Sequence, residues 1–253
     1  MEMPKTKKNK FPLYKKEIPY LSTEQMIEVD RLMIEKYHIE LIQMMENAGR
    51  NLALLANKRF LGKKKKNKTV VILAGTGGNG GGALVCARRL FSWGFKIKAF
   101  VTDEDNMTKI PGHQLEILKN MNVPVESVEN LNGIENLGLI IDGIIGYSLD
   151  GDPRGNAKTM IEWSLQQNVP ILSLDTPSGI DLTEGRIYEP AIKATATLTL
   201  ALPKQGLVAG NVRSQRGELY LGDISVPPSL YAEPTLGLSV NTIFKRNDIV
   251  KLD

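Results

Sequence analysis

Residues 70–90, "VVILAGTGGNGGGALVCARRL", carry the clearest fold signal in this chain. They join a continuous apolar run, a loop dense in glycine from 75 to 82, and a second apolar run with helical character. A buried strand that passes through glycines into a helix presents free backbone amides and the positive end of the helix dipole at the end of the strand. The stretch therefore predicts a binding loop for a phosphate-bearing ligand. The alternative is a loop whose glycines serve only tight turns, since the pattern G-x-G-x-x-G at 75–80 is weak by itself.

Short apolar runs recur after this stretch and alternate with helical patterns. Runs without polar alternation are typical of strands covered on both faces, so we expect a mostly parallel sheet in a Rossmann-like α/β domain. The predicted strands lie within 69–75, 96–102, 137–146, 169–179, 194–203 and 218–227. The predicted helices between them are 80–93, 112–121 and 156–167. Before them, Ser22 and Gln25 have the spacing of a capping box that opens a helix, and a second helix follows.

Length and composition limit the classes of protein that the chain can represent. Its 253 residues suit one large domain, flanked by a flexible basic arm at 1–19 and a peripheral tail at 229–253. Its single cysteine excludes an internal disulfide, and two histidines argue against a histidine-rich zinc site. No apolar run approaches the ~20 residues of a membrane span, and the first residues do not resemble a secretory signal, so a cytoplasmic protein is expected. The net charge of +4 is concentrated in the arm and in "KKKKNK" at 63–68, which favours solvated surfaces over a nucleic-acid site.

Polar residues follow three further predicted strands. Asp142 and Asp175 each end an apolar run, and Lys204 lies just after another. Each alone could be a turn residue or an exposed lysine. Because ligands bind outside the carboxyl ends of parallel strands, their convergence with the glycine loop predicts one site.

The motifs, taken in order, resemble the YjeF N-terminal family, the NAD(P)H-hydrate epimerases, over about residues 20–228. The resemblance rests on "YLSTEQMIEVD", "MMENAGR", "LAGTGGNGGGALVCARRL", "IIDGIIGYSLDGDPRG", "LSLDTPSGIDLTEG", "ATLTLALPKQGL" and "GDISVP". It implies a three-layer α-β-α sandwich, commonly a homodimer. It also implies an activity, the interconversion of the R and S forms of NADH or NADPH hydrated on the nicotinamide ring.

The resemblance assigns residues to that activity. It implies a potassium ion held by Asn79, Asp142 and Ser178, whose oxygen atoms suit a hard cation. Since epimerisation by loss and return of water needs proton transfer and no redox cofactor, Asp175 is the candidate acid and base, with Lys204 orienting the substrate or biasing the charge of that carboxylate. The implied substrate-binding residues are Gly78, Asn79, Gly80, Gly81, Gly82, Gly146, Tyr147, Ser148, Leu149, Asp150, Gly151, Asp152 and Asp175.

The glycine loop departs from the family pattern G-P-G-N-N-G-G-D-G. Thr76, Gly78, Gly82 and Ala83 replace its Pro, first Asn, Asp and final Gly, so a substrate-contacting carboxylate is missing at 82. A positive φ at Gly82 would resist a side chain there. Two hypotheses follow. The protein is an active epimerase that tolerates the altered loop, or a non-catalytic relative that binds a nucleotide-like ligand or acts as a scaffold.

Overall fold

A computed structural model describes residues 11–62, 67–147 and 149–253 of the chain. The helices are α1 (Thr23–Glu35), α2 (Leu41–Leu55), α3 (Gly78–Ser92), α4 (Lys109–Asn120), α5 (Gly155–Leu165), α6 (Gln205–Val208), α7 (Arg213–Arg216) and α8 (Pro228–Tyr231). The strands are β1 (Thr69–Ala74), β2 (Lys96–Val101), β3 (Val125–Glu126), β4 (Leu137–Gly143), β5 (Ile171–Leu174), β6 (Ala196–Leu200), β7 (Glu218–Gly222) and β8 (Ile249–Lys251). A π-helical turn, Ala56–Leu61, continues α2, and a 3-10 turn, Val128–Gly133, precedes β4.

The strands form one eight-stranded sheet in the order β3-β2-β1-β4-β5-β6-β7-β8. Strands β1 to β7 are parallel, and β8 is antiparallel to β7. The chain builds outward from β1 to β3 and then returns to place β4 on the other side of β1. At such a reversal the loops after the two strands diverge, which leaves a crevice between β1 and β4. The α/β fold with a mostly parallel sheet is therefore confirmed.

Alternate residues of β1 enter two separate cores, which establishes the three layers. Val70, Ile72 and Ala74 belong to a cluster with α1, α2, α3 and α4, whereas Val71 and Leu73 belong to a cluster with α5 and the 3-10 turn. All six residues of β1 are buried. Because side chains alternate across a strand, a strand covered by helices on both faces is apolar throughout, and this explains the continuous run in the sequence.

The helix boundaries follow local chemistry. At α1 the Ser22 hydroxyl accepts from Gln25 N at 3.2 Å, and the Gln25 side chain accepts from Ser22 N at 3.0 Å, which is the predicted capping box. Helix α3 begins at Gly78, two residues before its predicted start, because the glycines themselves form its first turn.

Both ends of the described chain meet at one edge of the sheet. Lys251 N donates to Pro12 O at 2.8 Å, and Tyr14 N donates to Lys251 O at 2.9 Å. Residues 12–14 of the predicted arm therefore pair with β8, which lies in the predicted tail. Strands β3 and β8 were not predicted, since two or three residues carry no periodic signal. Residues 1–10 and the lysines 63–66 lie outside the described residues, and the domain boundaries stay predictions.

Candidate functional site

The glycine loop after β1 is shaped by close backbone contacts. A Cβ atom at Gly75 would lie 1.9 Å from Ile144 O, and one at Gly80 would lie 1.8 Å from Gly75 O. Any side chain at either position would displace the backbone of the loop. In contrast, Gly77 and Gly78 have no atom within 4 Å of an added Cβ. The loop therefore packs its inner glycines against the β4 loop and leaves the start of α3 approachable by a ligand.

Gly82 does not belong to the open part of this loop. It is buried inside α3, and an added Cβ would lie 2.5 Å from Leu174 Cδ2. Its φ is outside the left-handed region, so the expectation that a positive φ resists a side chain there is wrong. The obstacle at position 82 is the Leu174 side chain, which occupies the space that an acidic side chain would enter.

Asp142, at the end of β4, is fully buried and saturated with hydrogen bonds. Its Oδ1 accepts from Ser178 Oγ at 2.6 Å and from Ile144 N at 3.3 Å. Its Oδ2 accepts from Ser173 Oγ at 2.7 Å and from Ser178 N at 3.0 Å. Burial raises the pKa of this carboxyl, while these donors act in the opposite direction. Asp142 thus fixes the turn that carries Ser178.

Of the three residues predicted to hold potassium, Asn79 and Ser178 are joined through the backbone of Ile145, and Asp142 is bonded directly to Ser178. Ser178 Oγ accepts from Ile145 N at 2.9 Å. Asn79 Nδ2 donates to Ile145 O at 3.4 Å and to Leu174 O at 2.8 Å. Two carbonyls, an amide and a hydroxyl therefore lie in one connected cluster, with the hydrogen-bonded carboxylate of Asp142 behind Ser178. Oxygen ligands of this kind suit a hard cation, so the donor set fits the predicted ion.

Asp175 and Lys204 form a buried ion pair. Lys204 Nζ donates to Asp175 Oδ1, and the two side chains are 0% and 5% exposed. The same oxygen accepts from Thr199 Oγ1 at 3.2 Å and from Leu200 N at 3.1 Å. The ammonium also donates to Leu200 O at 3.0 Å. Within the described part of the chain, Asp175 Oδ2 makes no hydrogen bond, so this oxygen is available for a ligand.

Backbone hydrogen bonds fix the positions of Asp175 and Lys204. Asp175 has φ 62°, in the left-handed region, and its N–H donates to Leu198 O at 2.7 Å. A non-glycine residue there costs about 1–3 kcal/mol, and such strain concentrates at functional sites. Lys204 is flanked by Leu21, whose N–H donates to Pro203 O and whose carbonyl accepts from Gln205 N, both at 2.9 Å. The residues before α1 thereby fix the lysine beside the carboxylate.

A cavity of about 90 Å³ lies between the carboxyl edge of the sheet and helices α1 and α2. We call it the carboxylate cavity. Its polar lining is Asp30, Asn79, Tyr147 and Asp175, with Gly78 at its edge. Its apolar lining includes Met26, Leu41, Met44, Met45, Leu174 and Ile224. This volume is below the ~300–1,000 Å³ of whole-ligand pockets and suits one ring of a larger ligand.

Asp30 is the functional candidate that the sequence analysis missed. It accepts from Tyr147 Oη at 3.0 Å on Oδ2, and it lines the same cavity as Asp175. A signal was present, because Asp30 lies four residues after Met26 and three before Met33, on the buried stripe of α1. An acid within an apolar stripe marks a carboxylate that faces the protein interior.

The predicted substrate loop after β4 divides into two parts. Gly146 lies against the Asn79 side chain, with 3.0 Å between an added Cβ and Asn79 Cγ, and Tyr147 lines the carboxylate cavity. Asp152 Oδ1 accepts from Glu189 N at 3.1 Å. Leu149, Asp150, Gly151 and Asp152 are not among the cavity-lining residues. Ser148 lies outside the described residues.

Larger clefts lie elsewhere among the described residues and contain none of the predicted site residues. One, of about 270 Å³, lies between residues 223–231 and 240–245. Another, of about 820 Å³, lies between residues 14–20 and the end of the chain, and a third, of about 200 Å³, lies between Lys58 and residues 246–249. We place the site at the smaller cavity because its lining combines Asp30, Asp175 and the start of α3, and because Lys204 pairs with Asp175 there. Within the described ranges, no helix is long and apolar enough to span a bilayer.

Comparisons with known proteins identify the family of the chain. A family model described as "YjeF-related protein N-terminus" matches residues 41–206. The NAD(P)H-hydrate epimerase of Dehalogenimonas lykanthroporepellens is 40% identical over 212 residues, 83% of this chain and 84% of the relative. That of Entamoeba histolytica is 33% identical, over 91% of this chain and 97% of the relative. The crystal structure of yeast YNL200c superposes with a TM-score of 0.78 at 27% identity, and it covers 93% of this chain and all of the yeast chain. The chain therefore belongs to the family of YjeF-related protein N-termini.

Proposed function

We propose that this protein is an NAD(P)H-hydrate epimerase. The observation that carries the proposal is the carboxylate of Asp175, held by Lys204 at a cavity that adjoins the first turn of α3. A helix N-terminus binds the pyrophosphate of a nucleotide, while a ring-sized cavity beside it receives the nicotinamide. Two relatives that share most of the chain carry the same name. Neither supports the alternative of a non-catalytic scaffold.

The chemistry requires proton transfer and no net oxidation. A proton delivered to the ring hydroxyl lets the lone pair of the ring nitrogen expel water, which gives an iminium. Water then adds to the other face and returns a proton to the protein. Asp175 is suited to this exchange because it lines the cavity, and because Lys204 occupies only Oδ1 while Oδ2 has no hydrogen bond among the described residues.

A potassium ion forms part of the proposal. Asn79, Ser178 and the carbonyls of Ile145 and Leu174 would hold it, with Asp142 behind Ser178 as the balancing charge. Turning the Asn79 amide over would direct its Oδ1 at two carbonyl oxygens, an arrangement that a bound cation stabilises. When bound, the ion would supply positive charge beside the start of α3. A homodimer and a cytoplasmic location stay predictions.

The experiment that tests the function is a stereochemical assay. The purified protein is mixed with the separate R or S hydrate of NADH or NADPH, and the epimer ratio is followed by chromatography against the spontaneous rate. Wild type should equilibrate the epimers, and Asp175→Asn should be slower by ~10²-fold or more while it still binds NADP. Asp103→Asn, in an exposed turn, is the control that should match wild type. A wild-type rate equal to the spontaneous rate contradicts the function.

A further inference from the structure

A second carboxylate, that of Asp30, lines the carboxylate cavity together with that of Asp175. Asp175 enters it from the end of β5, and Asp30 enters it from α1, which belongs to the helical layer that covers the sheet. A six-membered ring bound between helix and sheet would therefore have one of these residues toward each side. Asp142, the other buried acid nearby, is used up by its four hydrogen bonds and does not line this cavity.

The two carboxylates differ in their partners. Asp175 is paired with an ammonium, the partner of an ionised carboxylate. Asp30 has no cation in direct contact among the described residues, and its one hydrogen bond comes from a neutral phenol, Tyr147. Burial is the largest influence and raises the pKa of Asp30, the charge of Asp175 adds to this, and Tyr147 and the more distant Lys204 oppose it. The two acids of the cavity therefore have different partners, a cation for one and a phenol for the other.

The wall of the cavity around Asp30 is largely apolar. Met26, Met44 and Met45 line the cavity on the side of the helices, and each is only 4% exposed. Apolar surface beside a carboxyl disfavours its charged form.

We propose that Asp30 is a second catalytic residue, which handles the proton on the face of the nicotinamide ring opposite to Asp175. The inference rests on the proposed epimerase function. Tyr147 is its positioning residue, since its hydroxyl donates to Asp30 Oδ2 at 3.0 Å.

Atoms and electrons balance when the reaction is followed in one direction. Asp30 gives its proton to the hydroxyl, the C–O bond breaks, the nitrogen lone pair forms the C=N bond, and one water leaves. Another water adds to the opposite face, the electron pair returns to nitrogen, and Asp175 accepts the proton that this water loses. The protein is left with the proton on Asp175. Turnover of the other epimer, or exchange with solvent, returns it to Asp30.

The test is the rate of epimerisation by Asp30→Asn and Tyr147→Phe, each measured from the pure R and pure S hydrates. The amide that Asp30→Asn introduces keeps an oxygen that accepts from Tyr147, so the local hydrogen bond is retained while the exchangeable proton is lost. We expect kcat to fall by ~10²-fold or more in both directions with KM within about threefold of wild type, since acid–base catalysis contributes ~10²–10⁴. Tyr147→Phe should cost about tenfold in kcat, because it leaves the carboxyl in place. Glu35→Gln, which removes an exposed carboxylate from the same helix, should match wild type.

The outcomes separate the two proposals. If wild type epimerises and Asp30→Asn retains its kcat, or changes only KM, the catalytic role of Asp30 is overturned and the epimerase function stands. If wild type does not exceed the spontaneous rate, the function fails and the role of Asp30 fails with it.

Thermal unfolding of each variant accompanies the assay. A lower kcat in a variant that unfolds at the wild-type temperature supports the role. If instead kcat returns to the wild-type value when the variant is cooled to a temperature at which it is folded, the role is overturned.

Discussion

Lys204 Nζ donates to Asp175 Oδ1 in the interior of the protein, where the lysine side chain is fully buried and the aspartate 5% exposed. The ammonium makes two further contacts, to Leu200 O and Thr199 Oγ1, so its donors are satisfied. A buried charge is tolerated when its counter-charge and hydrogen bonds replace the water it has lost. The pair therefore acts as one unit, and removing half of it should be worse than removing both.

Lys204→Met should lower the free energy of unfolding by about 3–5 kcal/mol, because it leaves the buried carboxylate of Asp175 without its cation. The double variant Lys204→Met, Asp175→Asn should be more stable than Lys204→Met alone. Urea unfolding of the two single variants and the double variant measures this coupling. Lys119→Met removes an exposed ion pair with Glu104 and should change stability by less than about 0.5 kcal/mol. Additive effects in the double variant would show that the two buried charges are independent.

The site residues at the strand ends were predictable because each directly follows an apolar run that marks a strand in the sequence. Asp142 and Asp175 follow continuous apolar runs, and parallel strands bring their carboxyl ends to one edge. Asp30 was missed because its role arises from the packing of α1 over that edge, which no local pattern records. Gly82 was placed in the open loop because glycine repeats do not show where a helix begins. Only the packing of Leu174 against α3 reveals its surroundings.

Asp142→Asn should remove any dependence of epimerisation on potassium, because the balancing carboxylate behind Ser178 is lost while the side-chain size is kept. The measurement is the rate against KCl concentration, with choline chloride holding the ionic strength constant. Wild type should be faster in potassium, and the variant should be slower and insensitive to the salt. Asp181→Asn is the control, since that carboxylate accepts from Thr183 N and Glu184 N outside the cluster. A wild-type rate equal in both salts would argue against the ion.

Glu218 should contribute a pH-dependent part of the stability. Arg59 donates to both of its oxygens at 3.0 Å, and the pKa of Glu218 falls from 4.5 to about 2, chiefly through this hydrogen bonding. Because the folded pKa is lowered, the contribution is fully present above about pH 4.5 and is lost as the pH falls through about 2. The free energies of unfolding of wild type and Glu218→Gln should therefore differ at about pH 6 and become equal at about pH 2. Since the glutamate is partly exposed, the difference should be about 1 kcal/mol or less. A difference that grows toward acid pH would contradict the assignment.

Gly82→Asp should destabilise the protein through Leu174 and not through the backbone. The new Cβ would lie 2.5 Å from Leu174 Cδ2, and overpacking a buried site costs about 1–3 kcal/mol. Position 82 is the fifth residue of α3, beyond the first turn, where the helix dipole would offset little of this cost. Shortening the obstructing side chain should relieve the clash, so Leu174→Ala combined with Gly82→Asp should lose less stability than the sum of the single variants.

Gly112→Ala in α4 is the matched control, because its added Cβ meets only Met107 Cβ at an ordinary 3.7 Å. That control should be as stable as wild type or more so, since alanine is favoured over glycine within a helix by about 1 kcal/mol. The free energies of unfolding of the four variants, measured in urea, test this prediction. If Gly82→Asp is as stable as wild type, Leu174 moves aside at no cost, and the space beside α3 can accept the carboxylate that the loop lacks.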